Sequence, residues 1–131
     1  MPFIVRWPAR VKPGTTSDAL VSQIDLPASL ATLTGMKWSA ETGPDSTNQL
    51  RAFLGEDKVG REQLVEQGGG PQTLAIRKGN WKFIPHPMGG PRKPAEHYDL
   101  STDPGETTNL ADKNPEKVKE LGDLLEQIRG K

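Results

Sequence analysis

Tyr98-Asp99-Leu100-Ser101-Thr102-Asp103-Pro104-Gly105-Glu106-Thr107-Thr108-Asn109-Leu110 is the most specific wording in this 131-residue chain, and it closes a stretch that begins at Gln72. His97-Tyr98-Asp99-Leu100 reads as a strand. Asp103-Pro104-Gly105-Glu106 after it is turn chemistry: proline presets φ, glycine permits φ > 0, and an aspartate side chain bonds nearby backbone. Upstream, Leu74-Ala75-Ile76-Arg77-Lys78 alternates apolar with other residues, Gly79-Asn80 suits the positive φ angles of a tight turn, and Trp81-Lys82-Phe83-Ile84 alternates back. That is the pattern of a β-hairpin. Leu64-Val65-Glu66-Gln67 supplies a further strand, interrupted by Gly68-Gly69-Gly70-Pro71.

Downstream of Leu110 the spacing predicts a helix. Asn114 stands as N-cap, Pro115 at the first helical position, Glu116 in the first turn and Arg129 in the last, which complements the helix dipole. Val118, Leu121, Leu125 and Ile128 form one apolar stripe to lay across a sheet. Gly122 weakens this helix by about 1 kcal/mol relative to alanine. The expectation for this half is α+β: a small antiparallel sheet of about four strands packed by a C-terminal helix.

The N-terminal half reads differently. Phe3-Ile4-Val5-Arg6-Trp7 between Pro2 and Pro8 is a short apolar run, the form of a strand buried on both faces of a large sheet. Arg10 to Thr16 is a Pro-Gly loop. Ser22 or Asp25 then caps a helix carrying Leu26, Leu30 and Leu33 and ending before Gly35, with Pro27 more comfortable if the start is Asp25. Met36 to Ser46 is a connection, and Leu50 to Leu54 fits one helical turn. The strand is either an ordinary terminal strand added to a small antiparallel sheet or, as expected here together with the helix, part of a larger α/β domain.

Composition narrows the classes of function. Lys plus Arg and Asp plus Glu number 17 each, so no net field steers the chain towards nucleic acid or an acidic membrane. Cysteine is absent, which excludes a disulfide framework, a thiol nucleophile and the softest metal ligands. No apolar run approaches the ~20 residues of a membrane-spanning helix, and the first residues lack the form of a secretory signal. With 33% apolar residues, 14 glycines and 12 prolines, a folded centre with loose connections is expected.

The order "LAIRKGNWKFI", "HYDLSTDPGETTNLA" and an amphipathic final helix resembles the C-terminal end of a sulfatase of the arylsulfatase-like branch, in the alkaline phosphatase superfamily. "PFIVRWPARVKPGTTSDALVSQIDLPASLATLTG" is similar to a second sulfatase stretch, which in that family follows closely after a catalytic lysine. The resemblance covers nearly the whole chain. It implies residues 1–60 as the tail end of the α/β sulfatase domain and 61–131 as the C-terminal subdomain. It also implies a parent that hydrolyses sulfuric esters of small molecules or carbohydrates, with a formylglycine nucleophile and a calcium ion supplied upstream, and an upstream catalytic domain as partner within the same parent chain. A periplasmic or secreted parent is compatible with it, although this chain carries no signal.

The motifs of that chemistry are not found in these residues. No serine is followed by x-Pro-x-Arg, and no Asp-Asp pair opens a cation site. No catalytic residue, metal ligand or cofactor is therefore assigned to the chain, which is expected to be inactive alone. His86, Arg92 and Lys93 lie in a proline-bounded stretch that the resemblance places among loops bordering the substrate cleft; Arg92 and Lys93 suit a sulfate or acidic sugar. A solvated loop is the plainer reading. Asp103 and Glu106 read as turn residues, and Trp81 and Tyr98 as side chains buried beneath the final helix in preference to a sugar-stacking platform. Two alternatives stay open: a non-enzymatic module for sulfated or acidic carbohydrate, and a piece of a related phosphate or phosphonate ester hydrolase. The isolated chain is expected to fray or form a homodimer through Phe3–Trp7.

Overall fold

The computed structural model describes residues 3–68, 74–85 and 94–130. The chain divides into two compact units, Met1–Glu62 and Gln63–Lys131.

The second unit is a four-stranded sheet with one helix. β1 (Gln63–Gln67), β2 (Leu74–Lys78), β3 (Trp81–Ile84) and β4 (Glu96–Asp99) lie in the order β1-β2-β3-β4, each antiparallel to its neighbour. Lys78 pairs with Trp81 across the hairpin turn, where Gly79 takes φ 58° and Asn80 does not share the positive φ, as in a II′ turn. Register places Val65, Ile76, Phe83 and His97 in one row. Because side chains alternate between faces, Leu64, Arg77, Lys82 and Tyr98 form the neighbouring row on the other face.

α3 (Pro115–Arg129) covers the first of these rows. Ile76, Phe83, Leu121 and Leu125 form the buried centre, with Val65, Leu74, Trp81, Val118 and Ile128 packed around it. The stripe read from the sequence is thus the buried stripe of the helix. Asn114 occupies the N-cap position, but its side chain makes no capping bond. The outer edge of β4 is closed by a loop: Asn109 Oδ1 accepts the His97 N–H at 3.0 Å, Asn109 Nδ2 donates to the Ala95 carbonyl at 3.0 Å, and the Leu110 N–H donates to the His97 carbonyl at 2.8 Å.

The first unit contains α1 (Leu26–Thr34) and α2 (Leu50–Phe53). Both readings of the start of α1 find a counterpart. A 3-10 turn, Gln23–Asp25, follows Ser22, whose N–H donates to Asp25 Oδ2 at 3.2 Å, and the α-helix then opens at Leu26 with Pro27 in its first turn. α1 stops at Gly35, which takes φ 72° while the Met36 N–H returns to the Ala31 carbonyl at 2.8 Å. Its buried face differs from the leucine spacing: Ala28, Ser29 and Ala31 are buried, whereas Leu30 is 52% exposed. Small side chains let α1 approach the 45–49 segment, where Ser46 Oγ accepts the Ala28 N–H and Ser29 Oγ accepts the Gln49 N–H.

Phe3–Trp7 does not form a strand. A strand needs a ladder partner, and among the described residues the Trp7 carbonyl only receives the N–H groups of Arg10 and Val11 in a turn. Ile4 is left 87% exposed, and Phe3 meets Phe53 with ring centroids 5.1 Å apart. Elsewhere in this unit Leu20 and Gly60 make an isolated parallel bridge; a Cβ on Gly60 would meet the Leu20 carbonyl oxygen, so this approach requires glycine.

Candidate functional site

The sequence-predicted cleft residues His86, Arg92 and Lys93 lie outside the described residues. The described strands on either side of them are β3 and β4. β3 ends at Ile84 and β4 starts at Glu96, and these two residues pair. Gln67 and Leu74, which flank the β1–β2 connection, pair at the same end of the sheet. The Gly79-Asn80 turn is at the other end.

On the sheet face away from α3, Lys82 is held between two carboxylates. Its ammonium lies 2.7 Å from Glu106 Oε1 and 3.2 Å from Glu66 Oε2. Burial pushes the Lys82 pKa down, but Glu106 and Glu66 outweigh it and hold the group above its ordinary value. A lysine so committed is a structural cation and a poor base or nucleophile. Glu106 reaches it from a backbone φ of 55°, unusual for a residue with a side chain.

The preceding turn explains how that conformation is held. The Glu106 N–H donates to the Asp103 carbonyl, while Asp103 Oδ2 accepts the N–H groups of Thr107 and Thr108, each at 2.8 Å. These backbone bonds lower the Asp103 pKa. Asp103 and Glu106 are therefore occupied in a turn and an ion pair and have no free role as an acid-base pair.

Trp81 and Tyr98 are on opposite faces, since Trp81 pairs with Asp99 and Lys82 with Tyr98. Only Trp81 is packed with the α3 core, so the expectation that both lie beneath the helix is corrected for Tyr98. A two-ring sugar platform is excluded by the same alternation. Burial, then Glu96 and Glu106, raise the Tyr98 pKa and keep its hydroxyl protonated.

In the first unit the sequence reading missed a buried ion pair. Asp25 is 0% exposed, and the Arg61 guanidinium meets it with two bonds, Nε to Oδ2 at 2.7 Å and Nη2 to Oδ1 at 2.6 Å. The Thr47 N–H and hydroxyl each add a bond of 3.0 Å to Oδ1. Burial pushes this carboxyl up, but Arg61 and Thr47 more than offset it and leave the pKa below the ordinary carboxylate value. Arg61 also donates to the Asp45 carbonyl, so three remote segments meet at one carboxylate. Asp25 beside Pro27 was legible as a helix start, but nothing local marks a partner 36 positions later.

Among the described residues, no group of three or more His, Cys, Asp or Glu side chains gathers as a cation site. A depression of about 460 Å³ is lined by Lys113, Asn114, Pro115, Glu116, Lys117 and Glu120, where Glu120 pairs with Lys117 at 2.6 Å and Lys78 at 3.2 Å. These are scaffold contacts. What the described geometry shows is a sheet whose polar side chains are committed to ion pairs and turn bonds.

Comparison with known proteins gives the family. Residues 1–131 match the family described as "N-sulphoglucosamine sulphohydrolase, C-terminal". The chain is 44% identical to an N-acetylgalactosamine-6-O-sulfatase of Bacteroides thetaiotaomicron, over 98% of this chain and 27% of that protein. It is 32% identical to an uncharacterized sulfatase of Schizosaccharomyces pombe, over 92% of this chain and 23% of that one. A solved structure from work on the metabolism of multiple glycosaminoglycans by B. thetaiotaomicron superposes with a TM-score of 0.86 at 44% identity, covering 99% of this chain and 29% of that one. Another, in complex with its substrate D-glucosamine-2-N,6-O-disulfate, shares the fold at a TM-score of 0.73 and 23% identity, covering 97% of this chain and 27% of that one. The chain thus spans about 27% of the length of the curated relative it matches at 44% identity.

Proposed function

This chain belongs to the C-terminal family of N-sulphoglucosamine sulphohydrolases, among the sulfatases, and on that premise we propose that it is the structural C-terminal portion of a sulfatase acting on sulfated carbohydrate. It closes the larger α/β domain with its first unit. Its second unit holds the 86–93 connection, with His86, Arg92 and Lys93, against one side of the substrate cleft. Sulfate-ester hydrolysis belongs to the whole protein, whose upstream part would supply the formylglycine and the calcium site.

One observation carries the structural half of this reading. Among the described residues, the large apolar side chains left exposed are Phe3, Ile4, Ile24, Leu30, Met36 and Val59, all in the first unit. Their concentration in one of the two units is the pattern expected if that unit has a covering partner. The C-terminal description of the family, with the 27% share of the relative's length, supports one: the part of a sulfatase that would precede it. The substrate class follows the 44% identical relative, whose name specifies a 6-O-sulfated N-acetylgalactosamine.

The test is sulfate release from 6-O-sulfated N-acetylgalactosamine by the 131-residue chain and by the same chain joined to its upstream region. Release by the joined protein alone is expected. Cleavage of phosphate or phosphonate esters in place of sulfate esters would move the parent to the related hydrolases. Calorimetry of the isolated chain against sulfated oligosaccharides adds the remaining arm: strong heat of binding, without activity in the joined protein, would make it a carbohydrate-binding module.

A further inference from the structure

We propose that His97 is a proton-sensitive latch of the second unit: β4 and α3 stay closed around a neutral imidazole, and protonating it loosens the unit that carries the 86–93 connection. The inference stands on the second unit alone and does not depend on the parent's activity.

His97 is 0% exposed and lies at the β4 end of the sheet row that continues through Phe83 and Ile76 to Val65. Its ring stacks on Trp81, with centroids 5.1 Å apart and planes 14° from parallel. Nδ1 is 3.0 Å from the Lys82 carbonyl oxygen. A carbonyl only accepts, so Nδ1 carries the proton, and in the neutral ring Nε2 is a bare lone pair. Nε2 is buried and has no hydrogen-bond partner among the described residues. An unpaired lone pair is tolerable there; an N–H bearing positive charge with no acceptor is far less so.

The neighbouring charges are few. From α3, Lys117 opposes a second positive charge; on β4 itself, Asp99 favours one. β3 presents the Lys82 carbonyl, while the Lys82 ammonium is held on the other face by Glu66 and Glu106. The loop closing β4 contributes the neutral Asn109. Burial lowers the His97 pKa; the Lys82 carbonyl bond opposes this, Lys117 adds to it and Asp99 partly counters it, leaving the value below that of an ordinary imidazole. The unfolded chain then binds the proton more readily than the folded one. Stability is therefore full above about pH 6.5 and falls as the pH drops towards the folded pKa.

The experiment follows melting of the 131-residue chain, together with hydrogen exchange at the Ile76 and Leu121 amides, from about pH 8 to about pH 5, above the carboxylate range. Wild type is expected to lose about 5 °C in Tm across this window. His97→Gln should flatten the profile, and His86→Gln should leave it intact. Should His97→Gln not fold, NMR of the wild-type ring decides: His97 should remain neutral until the Ile76 and Leu121 amides lose protection. A pH slope that survives in His97→Gln, a slope that disappears in His86→Gln, or a His97 ring that titrates near pH 6.5 with protection unchanged would each overturn the proposal.

Discussion

The two units solve the burial problem in different ways. The second encloses its own apolar residues: Ile76 and Phe83 from the sheet meet Leu121 and Leu125 from α3. The first buries three alanines, Ala28, Ala31 and Ala52, with Leu20 and Leu54, and places a carboxylate, Asp25, at the meeting of three segments. It leaves Ile4 and Leu30 on its surface. One unit is organised by an apolar core and the other by a polar staple. The difference is the one expected on the proposal that the first unit is a boundary piece of a larger domain, with internal geometry fixed by directional bonds and an apolar surface left for a partner.

The largest expected effect attacks the staple. Asp25→Ala leaves the Arg61 guanidinium without its buried partner and should cost the first unit about 3–5 kcal/mol, read by denaturant unfolding. Because the folded pKa of Asp25 is depressed, the wild-type contribution is present above the ordinary carboxylate value and lost as pH falls below it. Asp25→Ala should remove that acid-dependent part. Leu121→Ala, in a fully buried position, should cost the second unit about 2–5 kcal/mol by leaving a cavity against Ile76 and Phe83. Amide exchange distinguishes the two variants: each should raise exchange chiefly in its own unit. Simultaneous collapse of both units in either variant would break the comparison.

A smaller effect tests the cleft assignment in the whole protein. Arg92→Ala and Lys93→Ala should each raise KM for a sulfated sugar about tenfold while leaving the melting of the second unit unchanged. Unchanged KM in both would return the 86–93 stretch to an ordinary solvated loop. The mildest change is a gain. Gly122→Ala should stabilise α3 by about 1 kcal/mol, because an added Cβ meets the Phe83 ring at an ordinary 3.6 Å. A loss of stability there would mean that the core against α3 is tighter than this contact distance indicates.

What was legible in the sequence follows the same division. In the second unit the signals are local: alternation set β2 and β3, Gly79 set the turn between them, and the Val118 to Ile128 spacing set the buried face of α3. Such periodicities act over a few residues and survive without knowledge of partners. In the first unit the decisive interaction joins Asp25 to Arg61, and no periodicity encodes a bond across that distance. The Phe3–Trp7 run has strand composition, but a strand also needs an edge to pair with, and these residues find none among those described. Tyr98 shows a subtler limit. Its burial was foreseeable; its face depended on a register that the sequence alone did not supply.

Residue-resolved hydrogen exchange on the 131-residue chain tests most directly the claim that one unit is closed and the other awaits a partner. Amides at Ile76, Phe83 and Leu121 should exchange only through global opening of their unit, whereas those at Ile4 and Val5 should exchange near the rate of an unstructured chain. Strong protection at Ile4 and Val5 in a monodisperse monomer would contradict the account.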